Sequence, residues 1–198
     1  MQSIQTVSEN TIYVGASDRR LAKFENLFPI PRGVSYNAYV ILDEKTALLD
    51  TADASVGAQF LENVAAALDG RKLDYLIVDH MEPDHAAMIE AVLVRWPDLR
   101  LVVNAKTLPM LKMYFPTDSA AFDDALVVKE GDTLDLGKHK LTFVMAPMVH
   151  WPEVMMTFDT TTGTLFSADA FGTFGALEGA LFADEVDFAG KWLDDARR

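Results

Sequence analysis

The chain contains no cysteine among its 198 residues. This absence excludes disulfides, thiolate metal sites, iron–sulfur clusters and a cysteine nucleophile. Basic residues are also scarce, because 17 Lys and Arg stand against 30 Asp and Glu, which gives a formal net charge of −13. A nucleic acid or an anionic membrane requires clustered positive charge on its partner, so this balance argues against both.

Long hydrophobic runs are missing as well. No apolar stretch approaches the roughly 18 residues that a membrane-spanning helix requires. The N-terminal segment MQSIQTVSEN lacks the apolar run of a signal peptide, so we expect a cytoplasmic protein. The chain length and the hydrophobic share of 50% are typical of one globular domain with a sizeable core.

Apolar patterning predicts strands that alternate with helices. Strands are predicted over residues 11–15, 35–42, 46–50, 75–78, 101–104, 126–129, 133–136, 140–145, 154–159 and 164–168. Helices are predicted over residues 56–68, 85–95, 106–114 and 186–198, and a polar connection over residues 18–33. Because strands outnumber helices and the helices are interspersed, we expect an α/β or α+β fold in which helices cover sheets.

The densest group of chemically active side chains directly follows the apolar strand predicted at residues 75–78. Residues 80–85 read His-Met-Glu-Pro-Asp-His, so four potential metal ligands fall within six positions. Pro83 prevents a regular helix at that point, and a loop can direct several side chains to one position. Two histidines and two carboxylates at this density are costly unless a cation neutralises the carboxylates. The four candidate metal ligands are His80, Glu82, Asp84 and His85.

Two further polar residues lie at the ends of apolar segments. His150 ends the segment Pro-Met-Val-His, and Asp169 follows the last predicted strand. Each candidate also has an ordinary interpretation on its own. His150 fits a satisfied buried histidine, Asp169 fits a turn carboxylate, and Asp84 fits the N-cap of the following helix. His139, within Gly-Lys-His-Lys, is predicted to be an exposed turn residue.

The spacing of these candidates resembles that of the metallo-β-lactamase fold, and specifically that of the flavodiiron proteins. The segments that carry the resemblance are His80-x-Glu82-x-Asp84-His85, Tyr36-Asn37-Ala38-Tyr39, His150-Trp151-Pro152-Glu153 and Ser167-Ala168-Asp169-Ala170-Phe171-Gly172. The resemblance covers essentially the whole chain. It implies a metallo-β-lactamase-like αββα sandwich with a metal site at one edge.

The resemblance also implies a role for each candidate ligand. His80, Glu82 and His150 would hold a first iron, Asp84 would hold a second, and Asp169 would bridge the pair. In some members of the family the residue at His85 holds the second iron, and in others it turns away. In zinc hydrolases of this fold the corresponding motif resembles His-x-His-x-Asp-His, whereas this chain has Glu82 in place of the middle histidine. Because added carboxylates suit the harder iron ion, the residues favour a di-iron centre.

Partners and a second domain follow from the same resemblance. FMN in a flavodoxin-like domain would supply electrons, a rubredoxin-like or flavin donor would feed it, and O2 or NO would be the substrate. A head-to-tail homodimer would bring the flavin of one chain to the irons of the other. One more histidine ligand and the flavodoxin-like domain are expected beyond Arg198. Residues 1–198 are therefore predicted to be a C-terminally incomplete di-iron domain.

Three functions remain open at this point. The first is reduction of O2 to water or of NO to N2O at a di-iron centre. The second is a metal-dependent hydrolase of the same fold that uses a metal-bound hydroxide, against which Glu82 counts. The third is a non-catalytic remnant or interaction module. A gas pocket is expected to be walled by Tyr36, Tyr39, Trp151 and Phe171, although aromatic residues at strand ends more often belong to the core.

Overall fold

The computed structural model describes residues 3–115 and 120–197. Its strands, numbered β1 to β15 in chain order, are Gln5–Ser8, Thr11–Tyr13, Ala16–Asp18, Lys23–Phe24, Phe28–Pro29, Val34–Tyr36, Tyr39–Leu42, Thr46–Leu49, Tyr75–Ile77, Arg100–Asn104, Leu126–Val128, Thr133–Asp135, Lys140–Met145, Met155–Asp159 and Thr164–Phe166. Its helices, numbered α1 to α7, are Gly57–Leu68, Pro83–Ala86, Ile89–Arg95, Thr107–Tyr114, Ala120–Asp123, Phe188–Lys191 and Leu193–Ala196. Within these described ranges, no helix has the length and apolar character needed to cross a membrane.

Two sheets dominate the architecture. Seven strands form a large mixed sheet in the order β1-β2-β7-β8-β9-β10-β11. Strands β8 to β11 run parallel to one another, and the other three join by antiparallel pairing. A second sheet contains β12 to β15 as an antiparallel meander. Short ladders join β3 to β6 and β4 to β5.

The two sheets pack face to face, and helices cover the other face of the larger sheet. The residues that meet between the sheets include Ile41, Leu49, Ile77, Val102, Leu141, Phe143 and Met155. The residues of the core on the helical side include Val40, Leu48, Leu76, Val103, Phe60, Val64 and Ile89. The central parallel strands are buried on both faces, which explains why they are almost continuously apolar in sequence. The structure confirms the predicted combination of sheets covered by helices.

Helix α1 shows how local sequence determines one element. Phe60, Val64 and Leu68 recur at intervals of four residues and are all buried. This spacing places them on one face of the helix, against the large sheet. The helix ends where Asp69 and then Gly70 adopt the left-handed conformation, with φ of 46° and 80°. The predicted helix over residues 56–68 is confirmed to within one residue.

The prediction of one strand over residues 35–42 is wrong, because the structure divides it into β6 and β7. Strand β6 pairs with β3 in a small ladder, whereas β7 enters the large sheet. The predicted strand over residues 11–15 ends two residues early, because β2 covers Thr11–Tyr13 and β3 begins only at Ala16. The Val14 N–H donates to the Ala38 carbonyl between the two ladders. Apolar alternation indicates an extended chain but does not reveal a change of pairing partner.

The predicted continuous helix over residues 186–198 is also wrong. The described part of this segment contains two four-residue helices, α6 and α7. The Asp187 side chain accepts from the Gly190 N–H, and Trp192 leaves the helical region with φ of −123°. Glycine inside a helix weakens it, so the apolar spacing alone could not sustain one continuous helix. Arg198 lies outside the described residues.

His139 is buried rather than exposed as predicted, with only 1% of its surface accessible. Its Nδ1 lies 2.8 Å from Asp159 Oδ2, and its backbone N–H donates to Asp43 Oδ2 at 2.6 Å. Gly137, with φ of 123°, lets this turn fold closely against Glu44. The lysines on either side of His139 point to solvent. Their charge led to the wrong prediction that the residue between them is exposed as well.

Candidate metal centre

The two sheets end side by side at one edge, and loops from both carry polar side chains there. In the large sheet, β8 leads into Asp50 and β9 leads into residues 80–85. In the second sheet, the β13–β14 connection carries His150, and β15 leads towards Asp169. A hydrogen bond of 3.0 Å from the Met155 N–H to the carbonyl of Asp79 joins the sheets at this edge. The fold therefore brings together residues that are far apart in the chain.

A first group of potential metal ligands contains His80, Glu82, His150 and Asp169. One donor atom from each of the four residues lies within 4.8 Å of all the others. Glu82 Oε2 lies 2.7 Å from His150 Nε2 and 3.2 Å from His80 Nε2. Asp169 Oδ2 lies 3.2 Å from the same two nitrogens. The four side chains thus point at one common position.

A second group contains Asp84, His85 and Asp169, again with donor atoms within 4.8 Å of one another. His85 Nε2 lies 2.8 Å from Asp169 Oδ1 and 3.7 Å from Asp84 Oδ2. Asp169 therefore belongs to both groups and faces each of them with a different carboxylate oxygen. All six candidates predicted from the sequence lie in these two groups, and their role as metal ligands remains a prediction.

The ordinary interpretations of two candidates do not fit their surroundings. Asp84 lies inside helix α2, whose N-cap is Glu82 and whose first helical residue is Pro83. The Asp84 Oδ1 atom is buried and has no hydrogen-bond partner among the described residues. His150 is no buried histidine, because 55% of its side chain is exposed. An orphaned carboxylate oxygen in such a group is a natural contact for a cation.

Carboxylates hold the far nitrogens of the two buried histidines. Glu153 Oε1 lies 2.8 Å from His80 Nδ1 and also accepts from the Met81 N–H at 3.0 Å. Asp50 Oδ2 lies 2.9 Å from His85 Nδ1. Such contacts fix the tautomer and the ring orientation, so that Nε2 of each ring faces the ligand groups. Asp50 and Glu153 are not among the candidates predicted from the sequence, although Asp50 ends a strand beside the segment that carries the histidines.

The pKa values at this edge depart strongly from their ordinary range. Burial lowers the pKa of His80, but hydrogen bonds that include those to Asp169 and Glu153 outweigh it and raise this pKa to about 11. Burial raises the pKa of Asp84 to about 7. Burial also opposes the charge on Asp169, yet hydrogen bonds from His80 and His85 hold its pKa far below its ordinary value. These shifts mean that the histidines hold their protons against the neighbouring carboxylates. A metal ion that binds to the histidine nitrogens would have to displace those protons.

The donor set fits iron. It offers three imidazole nitrogens and three carboxylates, and the chain has no thiolate. Imidazole suits several transition metals, whereas carboxylate oxygen favours the harder ones. The orphaned Asp84 oxygen and the shared Asp169 carboxylate indicate a place for two cations next to each other. The residues present therefore fit a pair of iron ions.

A cavity of about 1310 Å³ opens over both groups. Its lining includes the four aromatic residues expected there, Tyr36, Tyr39, Trp151 and Phe171. Tyr36 also belongs to the buried core on the helical side of the large sheet. The Trp151 ring stands edge-on to the His80 ring, with centroids 5.4 Å apart. The cavity thus has an apolar wall and a polar floor, an arrangement typical of small-molecule sites.

The loops at this edge hold unusual backbone conformations. Eight non-glycine residues in the described ranges have a positive φ. Six of them lie at the cavity or next to it, namely Glu25, Asn26, Asp50, Met148, Ala168 and Phe171. Such conformations cost energy for residues with a side chain, and they concentrate at functional sites.

Glu25 is a cavity residue that the sequence analysis did not include among its candidates. It lies in the turn of the β4–β5 hairpin, within the predicted polar connection over residues 18–33. Its side chain lines the cavity together with Glu82 and His150. Burial and the Glu82 carboxylate raise the pKa of Glu25. The polar composition of this connection contained no signal that one of its side chains lines the cavity.

A two-sheet sandwich whose strand ends gather histidines and carboxylates defines a metallo-β-lactamase-like domain. The chain belongs to the ODP family of beta-lactamase proteins, whose family model matches residues 34–192. The comparison with this family confirms the predicted fold class.

Relatives of known sequence and structure agree with this assignment. The chain is 38% identical over 183 residues to the anaerobic nitric oxide reductase flavorubredoxin of Klebsiella pneumoniae, covering 91% of this chain and 37% of that protein. The flavodiiron protein from Giardia intestinalis has a TM-score of 0.89 at 28% identity, with 96% of this chain and 45% of that chain covered. The rubredoxin oxygen:oxidoreductase from Desulfovibrio gigas has a TM-score of 0.89 at 30% identity, with 95% and 46% covered. The chain spans less than half the length of these relatives, which confirm its resemblance to flavodiiron proteins.

Proposed function

We propose that this chain is the metal-centre domain of a flavodiiron-type oxidoreductase that reduces NO to N2O, O2 to water, or both. The observation that carries the proposal is the convergence of two ligand groups on the shared Asp169 carboxylate. Two relatives, one named a nitric oxide reductase and the other an oxygen oxidoreductase, support this class of chemistry.

In this proposal each group holds one iron. The first iron is assigned to His80, Glu82 and His150, the second to Asp84 and His85, and Asp169 is assigned to both. The contact between Asp50 and the His85 Nδ1 atom supports a ligating His85, because it leaves Nε2 facing Asp169 and Asp84. When bound, two adjacent irons would supply more than one electron at a single site, which suits the multi-electron reductions of O2 and of paired NO molecules.

The other residues of the chain prepare the site for such a substrate. Tyr36, Tyr39 and Trp151 give the cavity an apolar wall that suits a small neutral gas and limits access of water. Glu153 and Asp50 keep the two buried imidazoles oriented before any metal enters. This preorganisation lowers the cost of assembling the centre.

We further propose that electrons reach the centre from FMN, carried by a flavodoxin-like domain of a partner subunit in a head-to-tail homodimer. A rubredoxin-like donor would reduce that flavin, as the names flavorubredoxin and rubredoxin oxygen:oxidoreductase suggest for the relatives. Phe171 is 85% exposed at the rim of the cavity, which offers an apolar contact for an incoming flavin ring.

Metal analysis combined with gas consumption tests the proposal. The chain is loaded with Fe(II) under anaerobic conditions, and iron and zinc are quantified together. We expect about two irons per chain, and consumption of NO or O2 when a reduced flavin donor is added. A loaded protein that consumes neither gas would contradict the proposal. Turnover of a phosphodiester, a thioester or a lactam would instead support the metal-dependent hydrolase.

A further inference from the structure

Asn104 is a buried polar residue at the end of strand β10. Its side-chain Oδ1 accepts from the backbone N–H groups of Lys106 and Thr107, at 2.8 and 3.1 Å, where α4 begins. Only the oxygen of a side-chain amide can accept from an N–H group, so these two contacts fix which way the amide faces. The Nδ2 group therefore points away from α4, towards the second sheet.

The Asn104 Nδ2 group donates to the backbone carbonyl of Glu153 at 2.5 Å. Glu153 lies in the β13–β14 connection and only 1% of its surface is accessible. Its carboxylate makes contacts of its own, because Oε1 lies 2.8 Å from His80 Nδ1 and accepts from the Met81 N–H at 3.0 Å. Glu153 is thus held at its backbone by β10 and at its side chain by the segment that follows β9. Asn104, Glu153 and His80 form a continuous series of contacts from helix α4 to a candidate ligand.

A second contact holds the same stretch of backbone. Lys106 Nζ donates to the carbonyl of Pro152 at 3.0 Å, so the turn between β10 and α4 binds two consecutive carbonyls of the β13–β14 connection. The Lys106 contact is exposed, whereas the Asn104 contact is buried. A hydrogen bond shielded from water is electrostatically stronger, and a buried carbonyl left unpaired is costly. Asn104 therefore contributes more than Lys106 to the placement of the Glu153 backbone.

We propose that Asn104 is a positioning residue of the metal centre, whose amide fixes the backbone of Glu153 so that the Glu153 carboxylate aligns the His80 imidazole with the first ligand group. Partners that orient a ligating histidine affect metal affinity although they never touch the metal. The inference rests on the proposed function, because it requires that His80 binds metal. It extends the support of the centre to β10, a strand that carries none of the six candidate ligands.

Asn104→Asp separates the positioning contact from the structural one. The carboxylate can still accept from the N–H groups where α4 begins, but it has no N–H to donate to the Glu153 carbonyl. We expect the full chain to bind Co(II) about tenfold more weakly, measured by competition with a chelator. The visible absorption band of bound Co(II) should also shift, because this band depends on the geometry of the ligands. Asn104→Ser keeps an acceptor without burying a charge, and it serves for the same measurements if the first variant does not fold.

Asn63→Asp is the matched control. Asn63 is a fully buried residue of α1, and its Nδ2 donates to the carbonyls of Val14 and Gly15 at 3.2 and 2.9 Å. The substitution removes the same kind of buried amide donor from a residue that contacts none of the candidate ligands through this amide. Urea unfolding of the metal-free protein should show a loss of stability in both variants. Only Asn104→Asp should weaken Co(II) binding and shift the absorption band.

A double variant tests whether Asn104 acts through the Glu153 carboxylate. In a Glu153→Gln background, Asn104→Asp should weaken Co(II) binding by less than about twofold, because residues that act as one unit are not additive. A further tenfold loss in that background, or unchanged affinity in Asn104→Asp alone, overturns the role of Asn104 and leaves the proposed function intact. An equal loss of affinity in Asn63→Asp overturns it as well. A wild-type chain that binds neither Co(II) nor Fe(II) refutes both proposals.

Discussion

Two groups of buried histidine and carboxylate side chains lie at opposite ends of strands β13 and β14. At one end are the candidate metal ligands, and at the other are His139 and Asp159. Both ends contain a histidine whose Nδ1 contacts a buried carboxylate at 2.8 or 2.9 Å. The pairs are alike, yet only one end has the geometry of a metal centre.

The difference lies in what surrounds the second imidazole nitrogen. At the far end the Asp159 carboxylate is satisfied by His139, Thr161 and Thr162, and His139 Nε2 is buried without a partner among the described residues. At the metal end, each Nε2 faces at least two carboxylates. A single buried histidine–carboxylate pair is therefore evidence of a stabilising contact and not of a metal site. It contributes to a candidate site only where several such pairs converge on excess negative charge.

The largest effect is expected from Asp169→Asn, which removes the carboxylate shared by both ligand groups. We expect iron to fall below about one ion per chain and gas consumption to drop more than about 1000-fold, because a neutral amide is a poor bridge between cations. Elemental analysis and a gas electrode measure the two quantities. Asp159→Asn is the matched control at the other end and should retain its iron. Full iron content in Asp169→Asn would contradict the assignment of the metal centre to the end of the strands that carries Asp169.

His139→Ala should have the opposite signature, with full iron content and lower stability. The substitution leaves Asp159 buried and without its main partner, and breaking a buried pair of this kind costs about 3 kcal/mol. Urea unfolding of the metal-free protein measures the loss. If this variant failed to retain iron while remaining folded, the His139 end would have to contribute to the centre after all.

Glu153→Gln tests positioning at the metal end. The amide oxygen can still accept from the Met81 N–H, but the charge that orients and polarises His80 is gone. Loss of such a partner typically weakens metal binding about 10-fold to 100-fold. Competition with a chelator measures the affinity, and Glu153→Asp should recover part of it. Unchanged affinity in Glu153→Gln would show that His80 needs no charged partner.

The contribution of the His139–Asp159 pair to the free energy of unfolding should depend on pH. Burial opposes the charge on Asp159, but hydrogen bonds from Thr162 and His139 outweigh it and hold its pKa below the ordinary value of 3.8. A folded pKa below the unfolded one means that the contribution of Asp159 is fully present above about pH 4. It is lost as the pH falls through the folded pKa. The difference in unfolding free energy between the wild type and Asp159→Asn should therefore narrow below pH 4, and a constant difference would contradict this account.

The smallest effect is expected from Ala168→Gly beside Asp169. Ala168 has a φ of 48°, and glycine adopts this conformation without strain. Relief of about 1 kcal/mol of strain exceeds the entropy that glycine adds to the unfolded chain, so we expect a net gain of about 0.5 kcal/mol. Urea unfolding measures it, with Ala170→Gly as the control at a position without a positive φ. A loss of stability in Ala168→Gly would mean that the loop is unstrained.

Much of the fold and of the site could be predicted from the sequence. The apolar strand before His80 and the density of ligands in residues 80–85 are local features, and a local pattern is visible in one chain. His150 and Asp169 stood out by their position at the ends of apolar segments, the resemblance to flavodiiron proteins gave them ligand roles, and the structure places both in the ligand groups. The strand and the ligand-rich loop were predictable because each is a short segment. Its residue types, a run of apolar side chains or a cluster of histidines and carboxylates, would be unfavourable in another environment.

The remainder depends on contacts between distant segments. Asp50 and Glu153 act through histidines that lie 35 and 73 positions away from them in the chain. Glu25 lines the cavity from a hairpin turn in which it has a positive φ. His139 was wrongly predicted to be exposed because its neighbours are lysines, whereas its burial results from packing between two turns. Composition and periodicity carry no information about such long-range packing.

The division of the ligands between two sheets also determines the order of assembly. Residues 80–85 belong to the large sheet and His150 and Asp169 to the small one, so the ligand groups exist only after the sheets have docked. A metal ion captured there becomes a cross-link between the two halves of the sandwich, and by mass action it stabilises only the docked state. Metallation should therefore follow folding, and a metal-loaded chain should resist separation of its sheets at the edge that carries the two ligand groups.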